Sequence, residues 1–460
     1  VVRVLPVAAI TVRICALKLL AWMYARKDSV FYRWCVILLL SGAMAFSLID
    51  RFALSLLFEP IKQDLGVSDT QLGLLHGVAF GLFYAAMGIP LGRLVDRWSR
   101  KWVIIWGICV WSIATAACGF ARSFLALLLA RIGVGAGEAA LAPAGYSMIS
   151  DITPKTQLAS AISVFQMGSL LGAGLAFLAG GAVYQAMTAL SFTETHFLAG
   201  FSAWQLTFIV VALPGIFFIL AFMLVSEPER RINIDTDNVE INEQNDEGLL
   251  QHLKENVAYY SALFLGAASV VAISYAFVSW APTVLTRVFS LEVGKAGIFL
   301  GLIFVTTAPL GVLCGGLLAD FWTGKGKKAA FPNVLLLAAV AALPVMLGCF
   351  FVNSAFQFSL IIGITQFTTG LAIGVGPATI QISAPAHLRG QMSAIYVFAV
   401  NLIGLGVGPI VIGVLSDRLF TGNSGLLMSL SGYTLTMCIL GVVCLYCFRR
   451  IFIARALVDS

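Results

Sequence analysis

From Arg33 to Phe448 the chain alternates long apolar runs with short polar breaks, and this alternation constrains the fold more than any motif does. Twelve runs can be placed, at 33–58, 71–92, 102–121, 124–149, 157–184, 204–225, 257–286, 296–319, 331–352, 355–381, 389–415 and 426–448. Crossing the ~30 Å hydrocarbon core of a bilayer takes about 20 apolar residues of helix, and the runs are of that order. They read as transmembrane helices, so an all-α membrane protein is predicted. With 60% hydrophobic and only 11% charged residues, the chain has too much apolar surface for a soluble fold to hide.

Most breaks are short. The exception is 226–256, which carries Glu227-Pro-Glu-Arg-Arg231 and then the acidic stretch 235–247. A solvated linker is predicted there, with a short helix near 247–256. It divides the chain into an N-terminal segment (1–32), a six-helix bundle (33–225), the linker (226–256), a second six-helix bundle (257–450) and a tail (451–460). Arg3, Arg13 and Lys18 interrupt the apolar pattern of residues 1–22, and no small-residue cleavage site follows, so that segment is assigned no function.

The basic residues are sorted by side. Arg33, Arg93, Arg97, Arg100, Lys101, Arg230, Lys254, Lys325, Lys327, Lys328, Arg389, Arg449, Arg450 and Arg455 fall on the linker side, with Arg26, Lys27, Lys155 and Arg231; Lys62, Arg122, Arg287, Lys295 and Arg418 fall on the other. The positive-inside rule then makes the linker and both termini cytoplasmic. The short external loops point to a bacterial inner membrane. The net charge of +6 therefore lies between spans and forms no stripe for nucleic acid.

The halves also repeat. Gly92-Arg-Leu-Val-Asp96-Arg-Trp-Ser-Arg-Lys101 follows the second run, and Gly316-Leu-Leu-Ala-Asp320-Phe-Trp-Thr-Gly-Lys325 follows the eighth. Ser160-Ala-Ile162 and Val164-Phe165 in the fifth run recur as Ser393-Ala-Ile395 and Val397-Phe398 in the eleventh. Two parallel-related halves around a central site is a layout of secondary transporters.

Ionisable groups lie inside the runs. Arg131 and Glu138 sit in the fourth, Asp50 and Arg51 in the first. Each such group costs at least ~2.5–3.5 kcal/mol at a helix centre, so they are expected to face a bundle interior or a cavity. Arg131 and Glu138 share one helical face about 10 Å apart, flanked by Gly133, Gly135 and Gly137. Two acids and two bases are nearly neutral as a set, and pairing lowers the burial cost. Asp50 and Glu138 are the candidate proton acceptors. Arg51 and Arg131 are the candidate ligands of an anionic head group, which suits a planar guanidinium.

These motifs resemble the major facilitator superfamily over Arg33 to Arg450. The 92–101 segment resembles its signature loop, with Ser99 where Gly is usual, and Arg131-x-x-x-Gly-x-Gly-Glu138 resembles its fourth-helix motif. Ile49-Asp50-Arg51, Ser68-Asp-x-Gln-x-Gly-Leu74 and Trp280-Ala-Pro-x-x-x-x-Arg287 resemble the Spinster family. The resemblance implies two pseudo-symmetric six-helix bundles and proton-linked or facilitated movement of lysophospholipids or sphingosine-like lipids by alternating access. It implies a gating role for Gly92, Asp96, Arg97 and Arg100, with Asp320 as their counterpart, and pairing of Arg131 with Asp50, leaving Glu138 the looser acid.

Further expectations concern the walls. Asp96 and Asp320 are expected to accept hydrogen bonds from a neighbouring helix N-terminus, with Arg97, Arg100 and Lys101 latching the halves. Gly77-x-x-x-Gly81, Gly311-x-x-x-Gly315, Gly370-x-x-x-Gly374 and Gly404-x-x-x-Gly408 are expected packing points on which helices rock. Gln366 and Asn401 are the polar cavity candidates of the C-terminal half, and His76 a vestibule candidate. Phe277, Trp280, Phe304, Phe367 and Phe398 give that half an aromatic wall suited to an amphiphile's tail.

No catalytic pair, H-E-x-x-H spacing, P-loop or strand-preceded glycine motif is present, and His76, His196, His252 and His387 are dispersed. No enzyme, cofactor or metal is expected. The expected partners are a small amphiphilic substrate, protons and membrane lipids around a monomer. An organic-anion or drug efflux carrier of the same fold is the alternative.

Overall fold

A computed structural model describes residues 29–154, 157–191, 200–230, 244–385, 388–422 and 424–458. The expectations for segment 1–22, Arg26, Lys27, Lys155, His196, Arg231 and His387 lie outside these residues. Among the described residues twelve helices are long and apolar enough to cross a membrane. They are Val30–Leu56, Asp69–Arg97, Arg100–Gly119, Phe124–Ile152, Ser160–Ala189 and Ala203–Leu224, then Val257–Arg287, Val293–Gly324, Ala330–Phe351, Ala355–Ser383, Gln391–Arg418 and Gly425–Arg455. They are called spans 1 to 12 below. Span 12 outruns its apolar run because Arg449 and Arg450 continue the helix.

Helix starts follow side-chain chemistry. In lipid the free N–H groups of a first turn need an acceptor. Ser29, Ser68, Ser99, Ser123 and Ser354 supply one at spans 1, 2, 3, 4 and 10. Ser68 and Gln71 cap each other reciprocally. Four spans are interrupted midway: span 2 at Gly77, span 4 at Ala139 and Ala140, span 6 at Leu213 before Pro214, and span 11 by a π-type turn over Leu402–Val407. Such interruptions persist where backbone is buried in protein or lines a cavity.

Spans 1–6 and spans 7–12 form two bundles, joined chiefly where span 5 meets span 8 and span 2 meets span 11. Both seams lie at the end remote from the linker, termed the far end. There the backbones touch. A side-chain carbon at Gly73 would strike the Pro409 carbonyl, and one at Gly77 would lie 2.5 Å from the Gly406 carbonyl oxygen. Gly181 meets Gly294 and Gly297 in the same way, and Gly174 meets Gly301. Toward the linker end the halves diverge: Gly81, Gly88 and Gly92 have open space where a side chain would be, and Asp96, Arg97 and Asp320 are exposed.

Two expectations change here. Gly311 and Gly315 pack against Phe367 and Leu371, while Gly370 and Gly374 pack back on Ala308, Gly311 and Val312. These motifs knit span 8 to span 10 inside one half, so they do not form the rocking seam. The seam glycines are Gly73, Gly77, Gly174 and Gly181 with their partners. Gly77→Val is therefore expected to hold the far end open and cut transport at least about tenfold, since a rigid seam cannot absorb the added carbons. Cysteine labelling from the far side, with helix content as control, measures it.

Candidate functional site

Asp50 and Arg51 lie about 30 Å along span 1 at ~1.5 Å per residue, beyond the middle of the helix. Being adjacent, they point roughly 100° apart and meet different spans. The Arg51 guanidinium turns to span 4, where Nη2 donates to Glu138 Oε2 at 2.7 Å and Nε at 3.3 Å. Ser47 Oγ donates to the same oxygen at 2.7 Å. Glu138 is placed by the interruption of span 4, which follows it directly. The guanidinium also lies 4.3 Å from the Phe80 ring centroid and 5.1 Å from that of Tyr84. The Arg51 side chain keeps 11% exposure, whereas Glu138 has none. Arg51 is the member of the pair that something entering between the halves reaches first.

Asp50 is fully buried and turns to span 3, where Thr115 Oγ1 donates to it at 3.2 Å. Arg131 is also fully buried, yet it forms no ion pair with Asp50 within 4 Å. Its guanidinium donates to the backbone carbonyls of Asp50 at 3.4 Å and Arg51 at 3.3 Å. The pairing expected from the resemblance is thus exchanged: Glu138 takes Arg51 and is the tighter acid, and Arg131 ties span 4 to the span 1 backbone. The cause is direction, because span 1 carbonyls point toward its C-terminus, where Arg131 sits. Three polar atoms of this cluster lack partners, Asp50 Oδ1, Glu138 Oε1 and Arg131 Nε, and so do both ring nitrogens of nearby His76.

The C-terminal half contributes less than expected. Gln366 is buried and accepts from Ser274 Oγ at 2.7 Å, so it braces span 10 against span 7. Asn401 is half-buried and accepts from Tyr275 Oη at 3.3 Å. Phe277, Trp280 and Phe304 are in the core, with Trp280 against Phe58 and Phe304 against Phe177 across the seam. Of the five aromatics only Phe398 is exposed and Phe367 partly so. Phe367 lines an open apolar groove of about 680 Å³ between spans 8 and 10, with Phe299, Ile303, Leu310, Phe356 and Leu360, most of them exposed on the outer face of that half. His76 lies in no vestibule; it is fully buried between the rings of Phe52 and Phe58.

A second network closes the far end. Arg287 grips Asp69 through Nη1 at 2.7 Å and Nη2 at 2.9 Å, and its Nε donates to Glu59 at 2.9 Å. Lys62 adds a donor to Asp69 at 2.7 Å, and Ser416 another at 2.8 Å. Asp417 accepts from the Asp69 and Thr70 amides at 3.2 and 2.8 Å, so it caps span 2 from the other half. The capping role expected of Asp96 and Asp320 falls here to Asp417, because the halves meet only at this end. The sequence carried the signal: Gly413-x-x-x-Asp417-Arg418 repeats the spacing of Gly92-x-x-x-Asp96-Arg97.

At the linker end Arg100 turns into its own half. It pairs with Asp151 and with Glu227 at 3.0 Å, and it donates to the Pro228 carbonyl. Glu227 also accepts from Ser99 Oγ and the Arg100 and Lys101 amides, while Arg230 donates to the Val95 and Trp98 carbonyls. The start of the linker is thus strapped over both helix ends of the 92–101 loop. Burial raises the Glu227 carboxyl, but these hydrogen bonds outweigh it and hold the group below the usual glutamate range. A carboxyl held low by folding stabilises the strap above its ordinary value of about 4.3, and the benefit is lost as pH falls below that. Protease sensitivity of the linker is expected to rise below about pH 4; Glu227→Gln should loosen it at every pH and remove the step.

Residues 40–409 match the model of the Major Facilitator Superfamily. A "MFS-type efflux pump" of Mycolicibacterium smegmatis is 25% identical over 92% of this chain and 95% of its own. A "Hexuronate transporter" of Bacillus subtilis is 25% identical over 86% and 90%. A solved bacterial homologue of the human lysosomal transporter Spinster, inward-facing and unoccupied, superposes with a TM-score of 0.77 and 26% identity, over 92% of this chain and 98% of that one. The twelve helices, the two bundles and these matches agree. The protein is an integral membrane protein with a Spinster-like structure, a secondary transporter that belongs to the Major Facilitator Superfamily.

Proposed function

We propose that the chain carries an amphiphile of lysophospholipid or sphingoid type, held by an anionic phosphate in its head group, together with a proton by alternating access. The observation that carries this reading is the Arg51–Glu138 pair, buried but reachable at Arg51. While the pair is closed, Glu138 holds Nε and Nη2 of Arg51, so an anion cannot take the two-pronged grip of the guanidinium. A proton on Glu138 ends its attraction for the guanidinium, and an anionic head group then takes its place on Arg51. One proton and one negative charge enter together, so the site gains no net charge and remains as cheap to bury as before. Asp50 is the second proton acceptor, with Oδ1 free for a proton. Arg131 supports the head-group site through the span 1 backbone, and Asn401 faces it from the other half.

The linker end is read as the cytoplasmic side, on the charge distribution and on the likeness to an inward-facing structure. Both termini then lie in the cytoplasm, Gly92, Asp96, Arg97 and Arg100 form the inner gate with Asp320, and the form described here is open inward. A carrier of organic anions or drugs is the second reading, favoured by the named hexuronate and efflux relatives. Proteoliposome uptake under an imposed pH gradient separates them: lysophospholipid should be taken up and hexuronate should not compete, whereas competition by hexuronate supports the second reading.

A further inference from the structure

His76 is the one histidine inside the N-terminal bundle's described core, and nothing said so far uses it. It lies on span 2 about 10 Å inward of Asp69, directly beside Gly73 and Gly77, whose backbone seals against span 11. Its side chain is fully buried, and neither Nδ1 nor Nε2 has a hydrogen-bond partner. Phe52 and Phe58 flank it at 5.8 Å, and Phe58 in turn packs edge-on to Trp280 of the other half at 5.1 Å. Buried polar atoms are nearly always paired, so a histidine with both nitrogens orphaned calls for a cause.

The charged and titratable groups on the surrounding elements can be named. Span 1 brings Asp50 and Arg51, span 4 brings Arg131 and Glu138, and the short helix after span 1 brings Glu59 and Lys62. Span 2 itself carries Asp69, and span 11 carries Asp417 and Arg418. The acids among them are already engaged: Glu138 with Arg51, Asp69 and Glu59 with Arg287, and Asp417 with the start of span 2. Asp50 takes Thr115. The charges that act on His76 here are the guanidiniums of Arg131 and Arg51. A proton placed on this imidazole would add a third cation to the two guanidiniums behind a closed seal, with no acceptor for either N–H.

The relation reverses when the far end opens. Span 11 leaves Gly73 and Gly77, and the first titratable ring inward of the seal then meets water that can solvate its charged form. We infer that His76 is a proton-operated check on the far gate: uncharged it allows the seal to close, and protonated from the far side it holds the gate open. The inference rests on alternating access but not on Asp50, Glu138 or any particular substrate. Imidazole is the one side chain that changes charge near pH 6.5 without special help, whereas the carboxylates of the seal need pH near 4 or lower.

The test uses spin labels at exposed Arg122 and Asn353, on the far ends of the two halves, in the full chain with its native cysteines replaced, reconstituted without substrate. As pH falls from 8 to 5.5, the long-distance population is expected to rise at least about fivefold, the rise setting in as pH drops past about 6.5. His76→Gln and His76→Phe, the latter matched to the aromatic surroundings, should both abolish that rise. An unchanged rise in either folded variant, or no rise in the parent, overturns the inference. Since no substrate or gradient is present, proton-coupled uptake stands or falls separately.

Discussion

Glu138→Gln is expected to abolish uphill uptake in proteoliposomes while leaving substrate exchange across the same membrane. The change removes the charge that two N–H groups of Arg51 and the Ser47 hydroxyl address, and it leaves a guanidinium in a nearly closed site. Breaking one side of a buried pair costs about 3–5 kcal/mol. At ~1.4 kcal/mol per tenfold, that is two to three orders of magnitude in coupled rate. The amide imitates a permanently protonated acid, so the site binds anions but no longer gates them by proton. Asp50→Asn should also stop uphill uptake. Normal, pH-dependent uptake by both variants would remove the proton role from both acids.

The second large effect concerns the far seal. Arg287→Ala removes a bidentate grip on Asp69 and the partner of Glu59 across the halves, leaving the 2%-exposed Asp69 side chain with Lys62 and Ser416. A buried carboxylate that has lost its bidentate partner at a tightly packed interface favours the state in which water reaches it. The account expects the population to shift toward a far-open form by about 2–3 kcal/mol, or roughly 30–150-fold. Labelling of a cysteine near the seam from the far side should accelerate accordingly. Arg287→Lys, which keeps the charge but not the fork, should fall between. Equal labelling rates in all three proteins would show that the network decorates the seal without holding it.

Much of this was legible because the bilayer imposes strong rules. Helix count and the two-half layout followed from run length, and the membrane burial of Asp50, Arg51, Arg131 and Glu138 followed from their cost. What the sequence did not give was who pairs with whom. Adjacent residues such as Asp50 and Arg51 diverge by about 100°, and a break in span 4 at Ala139 sets where Glu138 points. Neither a spacing nor a family pattern resolves that. The glycine motifs misled for a related reason: Gly311 and Gly370 carry the expected spacing but face each other within one half. The seam glycines 174, 181, 294, 297 and 301 share helix faces at spacings of three, four and seven, Gly297-x-x-x-Gly301 among them, but spacing does not say which helix they meet, and that shows only once the bundles are docked. The aromatic wall failed similarly, since Trp280 and Phe304 are placed by the seam rather than by a cavity.

The most direct test of the central claim is ligand affinity against pH. Thermal-shift titration of the purified protein with a lysophospholipid, from pH 8 to pH 5.5, reports affinity without requiring turnover. If an anion and a proton divide the Arg51–Glu138 pair between them, affinity should rise up to tenfold for each pH unit lowered, and Glu138→Gln should bind tightly at every pH with that slope gone. Affinity independent of pH in the parent, or the same slope in the glutamine variant, would contradict the account.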